Sequence, residues 1–226
     1  MKLKLKFFAL LCALLFLCSC EDKQNTSNTD NGGTSGSSSG SSGSSTNPIT
    51  TPDPNGSPPS GGETFLIKKG NHYHSGIDGG WGGRRYLARQ AYFYADTAYE
   101  SVTPTNQFDI NKLTGFSDCG AVFSNHNNSA RFGWNWDPVT KMIKLHAYTY
   151  VNGDRQYSYI KSVPLKTVVT LSLTLDGYFY IFQADAVTVK MPRHCDSNRA
   201  WGWLLFPYFG GDETAPHNMH IWLKVI

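Results

Sequence analysis

Two stretches of this chain, "KLHAYTYVNGDRQYSYI" and "LSLTLDGYFYIF", set alternating apolar and polar residues around a short glycine-containing break. A period of two is strand geometry. Asn-Gly or Asp-Gly between two such runs signals a tight hairpin, because the turns that match strand twist need φ > 0. Asn152-Gly153 and Asp176-Gly177 therefore commit the chain to antiparallel pairing, and Asp137-Pro138 makes a third break between "ARFGWNW" and "MIKLHAYTY". Further candidate strands are Phe65 to Lys68, Tyr86 to Asp96, Val187 to Lys190, Trp201 to Phe206 and Met219 to Val225. No stretch holds a 3.6-residue period over three turns, so helices are expected to be minor. About ten short strands with turns between them predict an all-β, two-sheet antiparallel β-sandwich of jelly-roll type, with a lipocalin-like barrel as the second fold.

The region before these strands has a different chemistry. Met1 to Lys6 carries three lysines and Phe7 to Cys18 is apolar, the basic n-region and short h-region of a secretory signal. The run falls short of the roughly 20 apolar residues that span a bilayer. Leu17-Cys18-Ser19-Cys20 resembles the lipobox of bacterial lipoproteins, whose signals are cut by the type II signal peptidase. That resemblance implies that residues 1–19 are removed and that Cys20 becomes a lipid-bearing N-terminus. Several acyl tails, at about 0.8 kcal/mol per buried CH₂, anchor stably where one tail does not. Glu21 and Asp22 resemble the acidic pair that directs some lipoproteins to the outer face of the outer membrane, the periplasmic face being the alternative. An ordinary cleaved signal with an accidental cysteine is the competing reading.

Asn25 to Gly62 is built from Ser, Gly, Thr, Asn and Pro, with Ile49 its one large apolar residue, so residues 20–63 are expected to be a disordered tether. The remaining 64–226 has the length of one domain, and it holds all six Trp, all twelve Tyr and ten of the thirteen Phe. Its 16 Lys and Arg against 12 Asp and Glu give +4, without the dense basic stripe of a nucleic-acid binder. Cys119 and Cys195 are the cysteines left to this domain. They are either a disulfide, worth about 4 kcal/mol for a loop of this length on the chain-entropy model, or two buried thiols.

Alternation also assigns faces. In Met142 to Val151, Ile143, Leu145 and Ala147 share one face, while Lys144, His146, Tyr148 and Tyr150 share the other. In Ala130 to Trp136, Phe132, Trp134 and Trp136 oppose Arg131 and Asn135. If the Asp137-Pro138 break is a hairpin, Arg131 and Asn135 join His146, Tyr148 and Tyr150 in a row suited to a sugar. Ring faces would meet pyranose C–H groups, polar groups would meet hydroxyls, and the Arg131 fork would clamp a carboxylate. The competing reading is that the aromatics fill the sandwich and Arg131 makes a structural salt bridge.

Other clusters carry weaker signals. "GIDGGWGGRR" lacks the phosphate-loop pattern, and its glycines suggest a mobile loop exposing Trp81, with Arg84 and Arg85 beside it. His72 with His74, and His217 with His220, lack the carboxylate or cysteine company of a common zinc site, so no metal centre is assigned. Asp212 and Glu213 in "FGGDETAPH" offer oxygens to calcium without a regular calcium-loop spacing, and no cofactor is otherwise implied.

"FSDCGAVFSNHNNSARFGWNW" and "LLFPYFGGDETAPHNMHIWL" resemble blocks of an uncharacterised group of secreted bacterial β-rich domains. "QAYFYAD" and "LHAYTY" are set against the jelly-roll alginate lyases, which use His or Tyr beside a uronate carboxylate; the Gln-Ile-His motif of that family is absent. Three classes follow: a tethered module that binds a glycan or another extracellular polymer, a polysaccharide lyase using His146, Tyr148 and Arg131, and a structural or adhesion lipoprotein. A glycosidase, which needs two facing carboxylates, ranks below these because the domain's acids fall mostly in turns.

Overall fold

Pairing follows the alternation. The computed structural model describes residues 57–76, 79–122 and 124–226; the signal, Cys20 and most of the tether lie outside the described residues. Among the described residues twelve strands form: β1 (Glu63–Ile67), β2 (Trp81–Arg84), β3 (Tyr86–Phe93), β4 (Asn111–Ser117), β5 (Asn128–Asp137), β6 (Met142–Val151), β7 (Asp154–Val163), β8 (Val168–Asp176), β9 (Phe179–Ala184), β10 (Val187–Pro192), β11 (Ala200–Leu205) and β12 (Met219–Val225). Short 3₁₀ turns at Ala95–Thr97 and Pro104–Asn106 are the only helical elements among the described residues.

The turns explain the hairpins. Asn152 (φ 53°) and Gly153 (φ 89°) are both left-handed, as a tight β6–β7 turn requires. The second hairpin is centred one residue later than the sequence suggests. Asp176 pairs with Phe179, so the turn is Gly177-Tyr178, and only Gly177 (φ 55°) is left-handed. Asp137 starts the β5–β6 connection, where its Oδ1 accepts the backbone N–H groups of Val139 (2.9 Å) and Thr140 (3.3 Å).

Two expectations are corrected. The strand beginning at Tyr86 stops at Phe93, where the chain turns into Ala95–Thr97. Trp81 does not sit in a mobile loop: it opens β2, paired to β11. Both β2 ("WGGR") and β4 ("NKLTGFS") escape a pattern search because glycine and polar residues occupy positions where alternation would show.

The strands form two six-stranded antiparallel sheets, β1-β12-β3-β8-β9-β10 and β2-β11-β4-β5-β6-β7. Each sheet keeps two edges, which rules out the closed barrel; the architecture is a jelly-roll-like β-sandwich. Between the sheets, Phe132 meets Phe182 edge to face (5.2 Å between ring centroids) and Phe93 meets Trp134 at 5.4 Å. Phe132, Trp134 and Trp136 are therefore core residues.

At one end the sheets are tied polar to polar. Asp118, just past β4, accepts from Arg193 Nε at 2.6 Å and from the Tyr180 hydroxyl at 2.9 Å. Both charged side chains of that ion pair are fully buried. The next residue, Cys119, is bonded to Cys195 with Cα atoms 5.7 Å apart, so the cysteines are a disulfide and not free thiols. The crosslink joins the end of a β4-sheet strand to the segment after β10. Reduction is expected to lower unfolding free energy by about 4 kcal/mol, measured by urea denaturation with and without dithiothreitol. An unchanged midpoint would contradict the assigned role.

Candidate functional site

The β4–β5–β6–β7 register sets the outer face of the second sheet in rows. Ser117, Ser129, Tyr150 and Arg155 form one row. Gly115, Arg131, Tyr148 and Tyr157 form the next, and Lys112, Gly133, His146 and Tyr159 the third. Asn135 lies opposite Lys144 in the fourth. Arg131, Asn135, His146, Tyr148 and Tyr150 thus share one face, as the alternation predicts. Ser129 to Asn135 extends about 20 Å along β5 at strand rise. Gly115 is what gives the arginine room, since a Cβ there would collide with the Arg131 Cα (2.6 Å) and Cγ (2.8 Å).

This face is not open. Arg131 is 5%, Asn135 3%, His146 8%, Tyr148 1% and Tyr150 6% exposed. Segments that sequence patterns could not place cover the sheet. Lys112 and Tyr208 exchange backbone hydrogen bonds (2.8 and 2.9 Å), laying the chain after β11 along β4. Asn135 Nδ2 donates to the Phe108 carbonyl at 2.9 Å, and His126 stacks on Tyr150 at 4.9 Å and 7° between planes. Lys112 Nζ lies over the rings of both Tyr148 (5.2 Å) and Tyr208 (5.4 Å).

Within this cover, polar capacity is left over. Arg131 donates from Nη2 to Asn125 Oδ1 at 3.2 Å, and its guanidinium carbon lies 6.0 Å from the Tyr148 ring centroid. No carboxylate pairs with it among the described residues, so the salt-bridge reading does not hold. Arg131 Nε, Ser129 Oγ, Asn135 Oδ1 and both ring nitrogens of His146 are buried with no hydrogen-bond partner among the described residues. Such atoms are rare in folded proteins, and each costs about 1–3 kcal/mol when nothing satisfies it. These five atoms fall on the outer face of β5 and β6, while the orphaned Trp134 Nε1 and Thr149 Oγ1 lie on the inner face of the same strands.

Electrostatics sharpen the picture. Burial pushes the Arg131 guanidinium below its usual value, with nearby tyrosines opposing the shift. Lys144 is spent on Asp137 (2.8 Å), whose carboxyl it holds well below the usual range. Burial, reinforced by Tyr150, pushes the Tyr148 hydroxyl far above the usual phenol range, and that hydroxyl donates to Tyr150 at 3.3 Å. His146, buried between Tyr157 and Tyr159 and repelled by Lys144, is pushed down to about 4 and is neutral at physiological pH.

The other sequence candidates fall elsewhere. Trp81 is on the same sheet face but on β2, three strands from Arg131, against Trp203. His72 Nδ1 contacts the Phe209 carbonyl, whereas His74 packs on Phe65 and Phe206. His217 and His220 both engage Asp96, through its carbonyl and its carboxylate. Glu213 does not stand free for calcium: its carboxylate accepts Val102 N, Thr103 N and Asn106 Nδ2 at 2.7–3.0 Å, closing that loop. Asp118 clusters with Cys119 and Cys195, but both sulfurs are in the disulfide and offer no thiolate.

No family model and no curated protein matches the chain. Solved structures with similar architecture include alginate lyase AlyC3, at 12% identity over 73% of this chain and 74% of that one, with a TM-score of 0.47. A family 16 endo-glucanase from Bacteroides ovatus shows 12% identity over 72% and 80%, with a TM-score of 0.46. The carbohydrate binding module CBM66 from Bacillus subtilis shows 11% identity over 67% and 83%, with a TM-score of 0.32. At these values the likeness assigns no residue and no ligand.

The neutral His146 has a consequence for stability. Unfolded, its imidazole titrates near 6.5; folded, it stays unprotonated down to about 4. Below pH 6.5 the unfolded chain takes up a proton that the folded one refuses. His146's contribution is therefore complete above pH 6.5, shrinks as pH falls, and levels off below about 4, after a loss of about 3 kcal/mol. Urea unfolding of wild type and His146→Phe at pH 7 and 4.5 is expected to show a shallower pH dependence in the variant. Identical dependence in both would contradict this.

Proposed function

We propose that residues 64–226 are a glycan-binding module that takes an anionic polysaccharide on the outer face of β5 and β6. The observation that carries this is the buried Arg131, which among the described residues has no partner for Nε, no counter-carboxylate and further orphaned polar atoms along its own strand. A buried cation is costly unless an anion and hydrogen bonds complete it. A uronate carboxylate supplies both once the segments carrying Phe108, Asn125 and His126 move off the sheet: its two oxygens match the guanidinium fork and replace the single Asn125 contact. Ser129, Asn135 and His146 then pair with sugar hydroxyls, and the half-exposed rings of Tyr157 and Tyr159 offer apolar faces at the margin of the site.

The reading includes the address. The lipobox at Cys20 and the tether that follows make this a lipid-anchored protein of the outer membrane that presents the module at the cell surface. Intact mass of protein purified from membranes is expected to show a triacylated Cys20 N-terminus, and Cys20→Ala is expected to release the protein from the membrane fraction. An unmodified thiol would remove this part of the reading.

The lyase alternative asks Tyr148 or His146 for a base. Tyr148 is held protonated, and burial holds the His146 imidazole down at about 4, which leaves it a weak base, so binding without turnover is the expected result. Calorimetric titration of the full chain in detergent with oligouronates and neutral oligosaccharides tests this, together with absorbance at the wavelength of unsaturated uronates. Arg131→Met is expected to weaken uronate binding about 10- to 100-fold while leaving unfolding free energy unchanged or higher, since a charge without a counter-ion is removed. A destabilised variant that binds uronates like wild type would overturn the proposal.

A further inference from the structure

The β2–β11 edge of this same face carries three indoles that the Arg131 site does not use. Trp81, Trp201 and Trp203 are 43%, 54% and 44% exposed. Trp203 pairs with Trp81, and Trp201 with Gly83. Leu204 pairs with the core residue Phe116, and Leu205 with Gly115, which in turn pairs with Arg131. Trp201 and Trp203 therefore point away from the core, on the Arg131 side of the sheet.

Their geometry is that of a platform. A Cβ placed on Gly83 would lie 2.8, 2.9 and 3.1 Å from Cε2, Cζ2 and Cδ2 of Trp201, so that ring lies over the glycine backbone and turns its other face outward. Trp81 and Trp203 meet edge to face, with centroids 5.3 Å apart and planes at 68°. Trp203 is pinned, its backbone N–H donating to Ser117 Oγ (2.8 Å) and its Nε1–H to the Val122 carbonyl (3.2 Å). Two nearby arginines are turned onto backbone: Arg84 donates to the carbonyls of Gly80, Gly82 and Gly202, and Arg199 to that of Gly83. The patch thus presents flat carbon surface, and grouped exposed rings of this kind mark binding sites.

We infer that Trp81, Trp201 and Trp203 form a second subsite, which stacks pyranose rings through their C–H faces without regard to charge. This rests on the polysaccharide reading of the Arg131 face, with which the platform is continuous on one sheet. Trp81 on β2 lies three inter-strand steps from β5, about 14 Å, and Trp201 and Trp203 on β11 two steps, about 10 Å, each also displaced along the strands from the Arg131 row. A disaccharide on Arg131 does not reach the indoles, and a longer chain does.

Tryptophan emission reads this subsite directly, because Trp134, Trp136 and Trp222 are buried. The full chain in detergent is titrated with di- and hexasaccharides of mannuronate and with neutral glucan, xylan and mannan hexasaccharides, following emission and iodide quenching. Mannuronate hexasaccharide and at least one neutral hexasaccharide are expected to protect the indoles. Trp81→Ala and Trp201→Ala are each expected to weaken hexasaccharide binding about three- to tenfold and to leave the mannuronate disaccharide unaffected. No protection by any hexasaccharide, or wild-type affinity in both variants, overturns the subsite. Protection by a neutral hexasaccharide without any preference for uronates keeps the platform and sinks the Arg131 reading instead.

Discussion

Strand β5 is buried on both of its faces, and the candidate site depends on that. One face is core: Phe132 and Trp134 pack against Phe182 and Phe93 of the opposite sheet. On the other face, Ser129, Arg131 and Asn135 sit under loops, away from bulk water. An exposed arginine with spare donors is ordinary, because solvent completes it. The same arginine when buried is a standing demand for hydrogen-bond acceptors and negative charge. Tyr148 meets part of that demand through its ring face, and Asn125 meets another part through one hydrogen bond.

Fold and site are coupled through the end of β4. Asp118 and the Cys119–Cys195 bond join the two sheets where the chain leaves β4. The segment leading from there to β5 supplies Asn125 to Arg131 and His126 to Tyr150. Ser117, one residue before Asp118, also holds Trp203. The crosslink and the buried ion pair thus steady both the arginine site and the indole platform, so a loss of stability there would reach both.

The sequence is informative where period-two alternation and turn chemistry act locally. The β5–β6 break sets the register that brings Arg131 opposite Tyr148, and Asn152-Gly153 the one that brings Tyr148 opposite Tyr157, so the shared face of Arg131, Asn135, His146, Tyr148 and Tyr150 could be derived from pattern alone. Burial of that face could not, because it depends on Phe108, His126 and Tyr208, which arrive from irregular segments with no periodic signal. Trp201-Gly202-Trp203 carried a usable signal, two indoles one period apart. Their importance depends on β2, whose "WGGR" reads as a loop until β11 pairs with it. Asp212 and Glu213 mislead for the opposite reason: an acidic pair in a glycine-rich loop suggests a cation, while Glu213 is occupied by backbone N–H groups more than a hundred residues away.

The central claim is that Arg131 waits for an anionic sugar, and its Nε–H group can be watched directly. In a ¹⁵N–¹H correlation spectrum of the protein, assigned with Arg131→Met, the Arg131 Nε–H signal is expected to shift and to exchange more slowly with water when oligomannuronate is added. Neutral oligosaccharides should leave it in place. An Arg131 signal that stays unmoved while oligomannuronate binds would contradict the account.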